Sequence, residues 1–219
     1  MNINAIVAMS ANKGIGLNNK LPWKCKDDIK RFKNLTIGNG KNAVIMGKNT
    51  WNSVGFLPRR HNFILTTTQS FSYVKNFYLV KTFNSISELL AFSKNSYDKL
   101  WVIGGSKIYK SFLDQHLIDS FYITLISKNI QCDTFMCPLP NYYLKHELTI
   151  SNELFEEKYH IYYINYKKIT KNMKLIYKNI HECVLKEIHY DDYPNIYCTI
   201  EYNNKECQTG TINLKLNKN

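Results

Sequence analysis

Proline and glycine are scarce in this chain, five and nine in 219 residues, which excludes a collagen-like repeat or a Pro/Gly-rich linker. No apolar run approaches the roughly 20 residues that a membrane-spanning helix requires. The amino terminus Met1-Asn2-Ile3-Asn4 also lacks the basic region of a secretory leader. The six cysteines, Cys25, Cys132, Cys137, Cys183, Cys198 and Cys207, form no CxxC pair, which argues for free thiols in a reducing compartment. A zinc centre from His181, Cys183, Cys198 and Cys207 would lack knuckle spacing, so no metal is expected. Acids are in deficit, 17 against 29 Lys plus Arg, for a net charge of +12 and a pI near 9.3. The lysines are scattered among Asn, Ile and Tyr without forming a stripe, so nucleic acid is not an expected partner. These exclusions leave a soluble, cytoplasmic chain. At 44% hydrophobic it can bury one full domain plus a small addition.

What is present is an alternation of short apolar runs with helix-start signals. Residues 4–10, 42–46, 63–66, 77–80, 100–103 and 121–126 read as strands, the first two buried on both faces. Pro22 favours an extended or turn entry at Leu21. Asp27 and Asp28 then stand where a first helical turn welcomes negative charge. Ser85 stands three before Glu88, the spacing of a capping box. Strands alternating with helices argue for an α/β fold with a mainly parallel sheet. Residues 159–166 alternate strongly and predict an antiparallel edge hairpin with residues 148–155. Residues 11–20 form a loop, with backbone freedom supplied by Gly14 and Gly16.

Several residues have both a bland and a chemical reading. Asp28 and Phe32, four apart, share one helix face. Asp28 alone would be a solvated acid complementing the helix dipole. In a pocket roofed by Trp23 and Phe32, burial would raise its pKa and suit it to proton chemistry. Gly104-Gly105 ends a strand and opens a helix over residues 106–113, a junction that presents amides to phosphate but also serves tight packing. Gly47-Lys48-Asn49-Thr50 repeats that junction with a cation and a hydroxyl. Arg60 is either a surface residue or a fork at a rim for a carboxylate. Thr124 by itself is a β-former.

Taken together, Ile15-Gly16, Leu21-Pro22-Trp23, Asp28 with Phe32, and Val44-Ile45-Met46-Gly47-Lys48-Asn49-Thr50-Trp51, in that order and spacing, resemble dihydrofolate reductase over residues 4–167. The resemblance implies NADPH-dependent reduction of dihydrofolate to tetrahydrofolate, serving one-carbon and thymidylate metabolism. It implies that Asp28 is the catalytic acid, assisted by Trp23 and hydrogen-bonded by Thr124. It implies apolar substrate walls from Ile6, Ala8, Phe32, Val54, Leu57 and Ile103, with Arg60 gripping the glutamate tail. For NADPH it implies contacts from Ala8, Ile15, Gly16, Gly47 and Asn49, with Lys48 and Thr50 on the phosphates and Thr66 and Thr67 near the ribose phosphate. Gly104, Gly105, Ser106, Lys107, Ile108 and Tyr109 complete the implied cofactor set along the pyrophosphate. Residues 11–20 would close over the site, and Asp133-Thr134-Phe135 matches a loop motif of the family. The chain departs from the family pattern in four places. Arg59 stands where the family has glycine, in a stretch one residue shorter. Thr67 stands where a basic residue is frequent, Cys132 replaces a small or acidic residue, and one residue is inserted at Met136-Cys137. The riboflavin-pathway reductase of the same fold is the nearest rival, and a non-catalytic basic paralogue is the rival from another class.

The resemblance covers a domain over residues 1–168 and stops before an extension over residues 169–219. Ile196, Cys198, Ile200 and Tyr202 alternate, Asn203-Asn204 favours a two-residue turn, and residues 209–216 return as a strand. We read residues 182–216 as a small β-meander, SH3-like or Tudor-like, available to a partner or to self-association. The extension is too short for the thymidylate synthase domain that often accompanies this enzyme.

Overall fold

A computed structural model describes residues 2–67, 77–156, 158–177, 181–189, 197–202, 205–210 and 214–216. An eight-stranded sheet holds β1 (Asn2–Ser10), β3 (Asn42–Gly47), β4 (His61–Leu65), β5 (Val80–Phe83), β6 (Lys99–Gly104), β7 (Ser120–Ile126), β9 (Tyr143–Ile150) and β10 (Ile161–Lys168). Their spatial order is β5-β4-β3-β6-β1-β7-β10-β9, and the pairs from β5 through to β7 are parallel. The parallel strands are apolar on both faces, as such a sheet demands: Ala43, Val44, Ile45 and Met46 of β3 are fully buried.

Helices α1 (Lys26–Ile37), α2 (Lys48–Val54), α3 (Ile86–Ser93) and α4 (Ser106–Asp114) follow loops or strands in the expected places. Ser85 caps α3, its Oγ accepting the Glu88 amide at 3.1 Å, while Glu88 Oε2 reaches one residue further back and accepts the Asn84 amide at 2.9 Å. Such a cap contributes about 1 kcal/mol. Helix α1 starts at Cys25 without a side-chain cap, carries Asp27 and Asp28 in its first turn, and stops at Gly38. There φ is +52° and the amide donates to Asn34 O. A side chain at that φ would be strained.

The expected strand over residues 77–80 is instead a 3-10 turn, Phe77–Leu79, and the strand begins at Val80. The register explains it: β4 is five residues long and meets β5 only from Asn62↔Val80 to Leu65↔Phe83. The hairpin partner also lies earlier than expected, at Tyr143–Ile150, with an antiparallel bridge Phe155↔Tyr159 in the turn region. Inside the loop of residues 11–20, β2 (Gly14–Gly16) pairs antiparallel with β8 (Thr134–Phe135).

The chain divides into two compact units, residues 1–137 with 149–163 and residues 138–148 with 164–219. The second unit contains a five-stranded antiparallel sheet of order β14-β13-β12-β11-β15. Its strands are β11 (Lys174–Tyr177), β12 (His181–His189), β13 (Tyr197–Tyr202), β14 (Lys205–Gly210) and β15 (Leu214–Leu216). β11 pairs with both its successor and the last strand, and a bulge interrupts β12 between Leu185 and Glu187. Among the described residues of this unit, Tyr142, Tyr143, Leu144, Ile169, Leu175, Leu185 and Ile200 are buried and apolar. Pairing of β13 with β14 reaches Tyr202↔Lys205. Asn203-Asn204, Ile196 and the side chains of His181, Cys183, Cys198 and Cys207 lie outside the described residues. Among the described residues, no helix is long and apolar enough to cross a membrane, and no cluster of three His, Cys, Asp or Glu could hold a metal.

Candidate active site

The site is built in the first unit. Asp28, in the first turn of α1, is 8% exposed, so a charged carboxylate has been taken largely out of water. That burial pushes its pKa above the ordinary value of 3.8, while the Thr124 hydroxyl and then the Arg31 charge act against the rise. Thr124 is fully buried on β7 and level with Ala8 of β1 in the parallel register. Asp27 turns elsewhere and accepts Ser151 Oγ at 2.5 Å.

Two apolar clusters carry the wall residues read from the sequence. Ile6 belongs to one with Val44, Met46, Ile64 and Trp101, against which Phe32, Leu57 and Ile103 pack. Trp23 belongs to the other with Cys25, Ile126, Phe155 and Ile161, against which Ala8 packs. Phe32 and Trp23 thus sit in different clusters. The Trp23 Nε1 donor is buried with no acceptor among the described residues, so a bound polar group would satisfy it. Val54, at the end of α2, is 44% exposed. A cleft of about 640 Å³ lies beside Trp23, lined by Leu21, Lys24, Glu153 and Phe155 among others.

Arg60 departs from the rim placement expected for it, being only 3% exposed. Its Nε donates to Pro58 O at 3.1 Å, its Nη1 to Thr36 Oγ1, and its guanidinium lies 5.8 Å from the Phe32 ring centroid. Part of the fork is therefore held by Pro58 and by Thr36 of α1. Arg59 beside it takes φ +66°, the left-handed conformation that glycine adopts without strain.

The two glycine junctions come together because β3 and β6 are adjacent parallel strands, with Met46 level with Gly104. Neither α2 nor α4 has a side-chain cap at its start, and the positive end of a helix dipole favours an anionic group there. A Cβ at Gly47 would come 3.0 Å from Ile108 Cγ1, and one at Gly105 would come 3.5 Å from Thr50 Oγ1. The junctions therefore line one cradle, to which Lys48, Asn49, Ser106 and Lys107 are adjacent in sequence. The Gly104-Gly105 peptide is cis, and Gly104 has φ +103°. A Cβ there would reach 2.8 Å from the Tyr109 ring. Tyr109 is buried and donates from its hydroxyl to Ile6 O at 2.7 Å, tying α4 to β1. Ser106 Oγ donates to Phe135 O at 2.9 Å. The loop bearing Ile15 and Gly16 is held by the Asn18 amide on Asp133 Oδ2 at 2.7 Å and the Asp133 amide on Gly16 O at 3.0 Å. Thr66, half-buried, donates its amide to Phe83 O at 3.0 Å, and Thr67 beyond it is exposed. Sequence reasoning passed over Arg31, whose Nη1 donates to Thr124 Oγ1 at 3.1 Å. Its spacing of three from Asp28 is the one signal that could have drawn notice.

A family model described as dihydrofolate reductase matches residues 2–168. The bifunctional dihydrofolate reductase-thymidylate synthase of Daucus carota is 41% identical over 143 residues, 60% of this chain and 27% of that protein. Three such plant relatives are spanned over 27 to 29% of their length. The dihydrofolate reductase of Buchnera aphidicola subsp. Baizongia pistaciae is 36% identical over 177 residues, covering 78% of this chain and 99% of that one. A solved structure of dihydrofolate reductase from Enterococcus faecalis, complexed with NADP(H) and RAB-propyl, aligns with a TM-score of 0.68 at 26% identity. It covers 77% of this chain and 97% of that one. With three quarters of its length under the family match and the same fold in a solved relative, the chain belongs to the dihydrofolate reductase family.

Proposed function

We propose that this chain reduces dihydrofolate to tetrahydrofolate with NADPH as reductant. The observation that carries the reading is Asp28: a buried carboxylate in the first turn of α1 whose pKa burial raises and a buried threonine hydroxyl lowers, one turn before Phe32, which packs on the apolar cluster of Ile6. In the overall reaction the substrate C=N bond becomes CH–NH, with a hydride arriving at carbon and a proton at nitrogen. NADPH, when bound, supplies the hydride. Asp28 holds the amino-pyrimidine edge by paired charge-assisted hydrogen bonds and favours protonation of the adjacent nitrogen through a water. The buried Trp23 Nε1 is a donor available to such a water. Ile6, Ala8, Phe32 and Ile103 bring the rings face to face, with Leu57 and Val54 at the benzoyl end, a proximity contribution. Arg60 receives the glutamate carboxylate on donors that Pro58 and Thr36 leave over.

The cofactor fit rests on the two uncapped helix starts that adjacent strands β3 and β6 bring together, with Gly105 keeping ordinary van der Waals space beside Thr50. Gly47, Lys48, Asn49 and Thr50 with Gly104, Gly105, Ser106, Lys107 and Ile108 would hold the phosphates. Thr66 and Thr67 would stand near the ribose phosphate. The loop of Ile15 and Gly16 would exclude water from the nicotinamide. We place the activity in the cytoplasm, in keeping with the free thiols of Cys25, Cys132 and Cys137.

The test is dihydrofolate-dependent oxidation of NADPH by the purified full chain. Turnover with both substrates, and none when either is omitted, is the expected result. Folded protein that binds NADPH yet shows no rate with dihydrofolate would overturn the assignment. For residues 169–219 we keep the reading of a separate small SH3-like or Tudor-like unit that serves a partner or self-association. The pairing of β11 with both β12 and β15 supports it. Mass in solution of the full and truncated chains distinguishes the two uses.

A further inference from the structure

The chain has only three arginines, Arg31, Arg59 and Arg60, among 29 basic residues, and Arg31 has no part in the steps above. It is half-buried on α1, one turn beyond Asp28. Its Nη1 donates to Thr124 Oγ1 at 3.1 Å, joining α1 to β7 across 93 residues of sequence. The guanidinium lies 4.7 Å from the Tyr163 ring centroid and 5.9 Å from that of Tyr122. Stacking of this kind holds a planar fork in one orientation, which a lysine ammonium could not match.

A threonine hydroxyl has one proton and two lone pairs. The Arg31 bond occupies one lone pair of the Thr124 hydroxyl and leaves its proton for an acceptor on another side, and the group this hydroxyl acts on is Asp28, whose pKa it lowers. We propose that Arg31 is a positioning residue: its guanidinium turns the buried Thr124 hydroxyl toward Asp28 and, through it, keeps that acid in the charge state that pairs with the substrate's amino-pyrimidine edge. This rests on the dihydrofolate-reducing reading of the site.

The sign follows from the forces on Asp28. Burial raises its pKa most, and Thr124 and then Arg31 oppose the rise, so loss of Arg31 raises it further. Among the described residues, the other ionisable groups facing Asp28 are Tyr163 on β10, Tyr109 on α4 and Cys25 ahead of α1, with Asp27 adjoining it on α1. Burial is the main force holding Cys25, Tyr109 and Tyr163 above their ordinary values. None of those three changes charge across the mildly acid to neutral range, and the guanidinium stays charged throughout.

The experiment is the pH profile of hydride-transfer turnover, with full chain, NADPH and dihydrofolate, for wild type, Arg31→Gln and Arg31→Met. Met fills the space beside Tyr163 if Gln compromises folding. Either variant should move the alkaline limb upward by about 0.5–1 pH unit, a roughly three- to tenfold change in the acid constant. It should also raise the dihydrofolate KM more than it lowers turnover at low pH. In a Thr124→Val background the same substitution should move the limb by less than it does in wild type, because the direct action of the Arg31 charge on Asp28 remains while the route through the hydroxyl is gone. A limb that stays in place while thermal stability falls would make Arg31 merely structural and overturn the proposal. An undiminished shift in the Thr124→Val background would overturn the route through the hydroxyl. Carbon NMR titration of the Asp28 carboxyl in the unliganded protein reads the same shift without catalysis. An inactive wild type therefore counts against the function, and an unmoved Asp28 titration counts against Arg31.

Discussion

Around Asp28 the site is made of side chains that the fold buries against their preference, whereas at the ends of β3 and β6 it is made of backbone that side chains would block. The first region holds a carboxylate 8% exposed and an arginine 3% exposed, each steadied by a threonine hydroxyl. The second holds glycines at which an added Cβ would come 2.8 to 3.5 Å from Tyr109, Ile108 or Thr50. The difference teaches where each region is vulnerable. Removing atoms damages the side-chain region, and adding one carbon damages the backbone region.

The largest expected effect comes from Asp28→Asn, which should depress turnover at neutral pH by roughly two to four orders of magnitude, with partial recovery as pH falls. Stability should move the other way. The folded pKa of Asp28 is raised above 3.8, so its contribution is fully present below the unfolded value. That contribution is lost as pH rises through the folded one. The variant should therefore melt higher than wild type at pH 7, with the gain fading toward pH 4. A near wild-type rate, or a melting temperature lowered equally at both pH values, would remove Asp28 from its role.

Next come the paired glycines. Gly104→Ala places a methyl 2.8 Å from the Tyr109 ring at a φ of +103°. Strain and overpacking together should cost about 2–6 kcal/mol, read as a large drop in melting temperature. Gly105→Ala meets only Thr50 Oγ1 at 3.5 Å, an ordinary contact. It should melt near wild type while binding NADPH more weakly. If both variants lose stability alike, the backbone there serves packing and the proposed cradle is not a binding surface.

Smaller again is Arg60→Ala, which removes a charge-assisted pair of about 1.5–3 kcal/mol and should raise the dihydrofolate KM roughly 10- to 150-fold with turnover less affected. Because Arg60 also donates to Pro58 O and Thr36 Oγ1, melting temperature must be followed in parallel. Equal affinity of wild type for a substrate lacking the glutamate would show that the fork serves α1 alone.

The backbone region was the more legible in sequence. Its cues are local: an apolar run, one or two glycines, then a helix, as at residues 44–50 and 101–108. The cap at Ser85 was legible for the same reason. The side-chain region depends on contacts between residues far apart, and no period encodes that Arg31 reaches Thr124 or that Arg60 folds back under Thr36. Phe77–Leu79 and the early start of β9 escaped because hydrophobicity marks a strand, while its ends follow the partner's register. The pairing of β2 with β8 escaped because three residues around two glycines carry no pattern at all. In the second unit, period-two alternation through Cys198, Ile200 and Tyr202 sufficed to mark β13, since a strand with one apolar face declares itself in a few residues.

Asp27 and Asp28 give the finest division between the two uses of a side chain, being adjacent acids at one helix start. Asp28 turns inward, whereas Asp27 is half-exposed and accepts Ser151 Oγ at 2.5 Å, fastening α1 to the residues just past β9. An asparagine at position 27 retains an oxygen for that bond and loses only charge. Asp27→Asn should therefore change stability by no more than about 1 kcal/mol and leave turnover within roughly twofold. The pH profile should superpose on that of wild type, because the variant leaves Thr124, Arg31 and Asp28 untouched. Asp27→Leu, which abolishes the acceptor, should lower the melting temperature further and still leave the alkaline limb in place. A collapse of turnover in Asp27→Asn, comparable with that of Asp28→Asn, would mean that the acid has been assigned to the wrong neighbour.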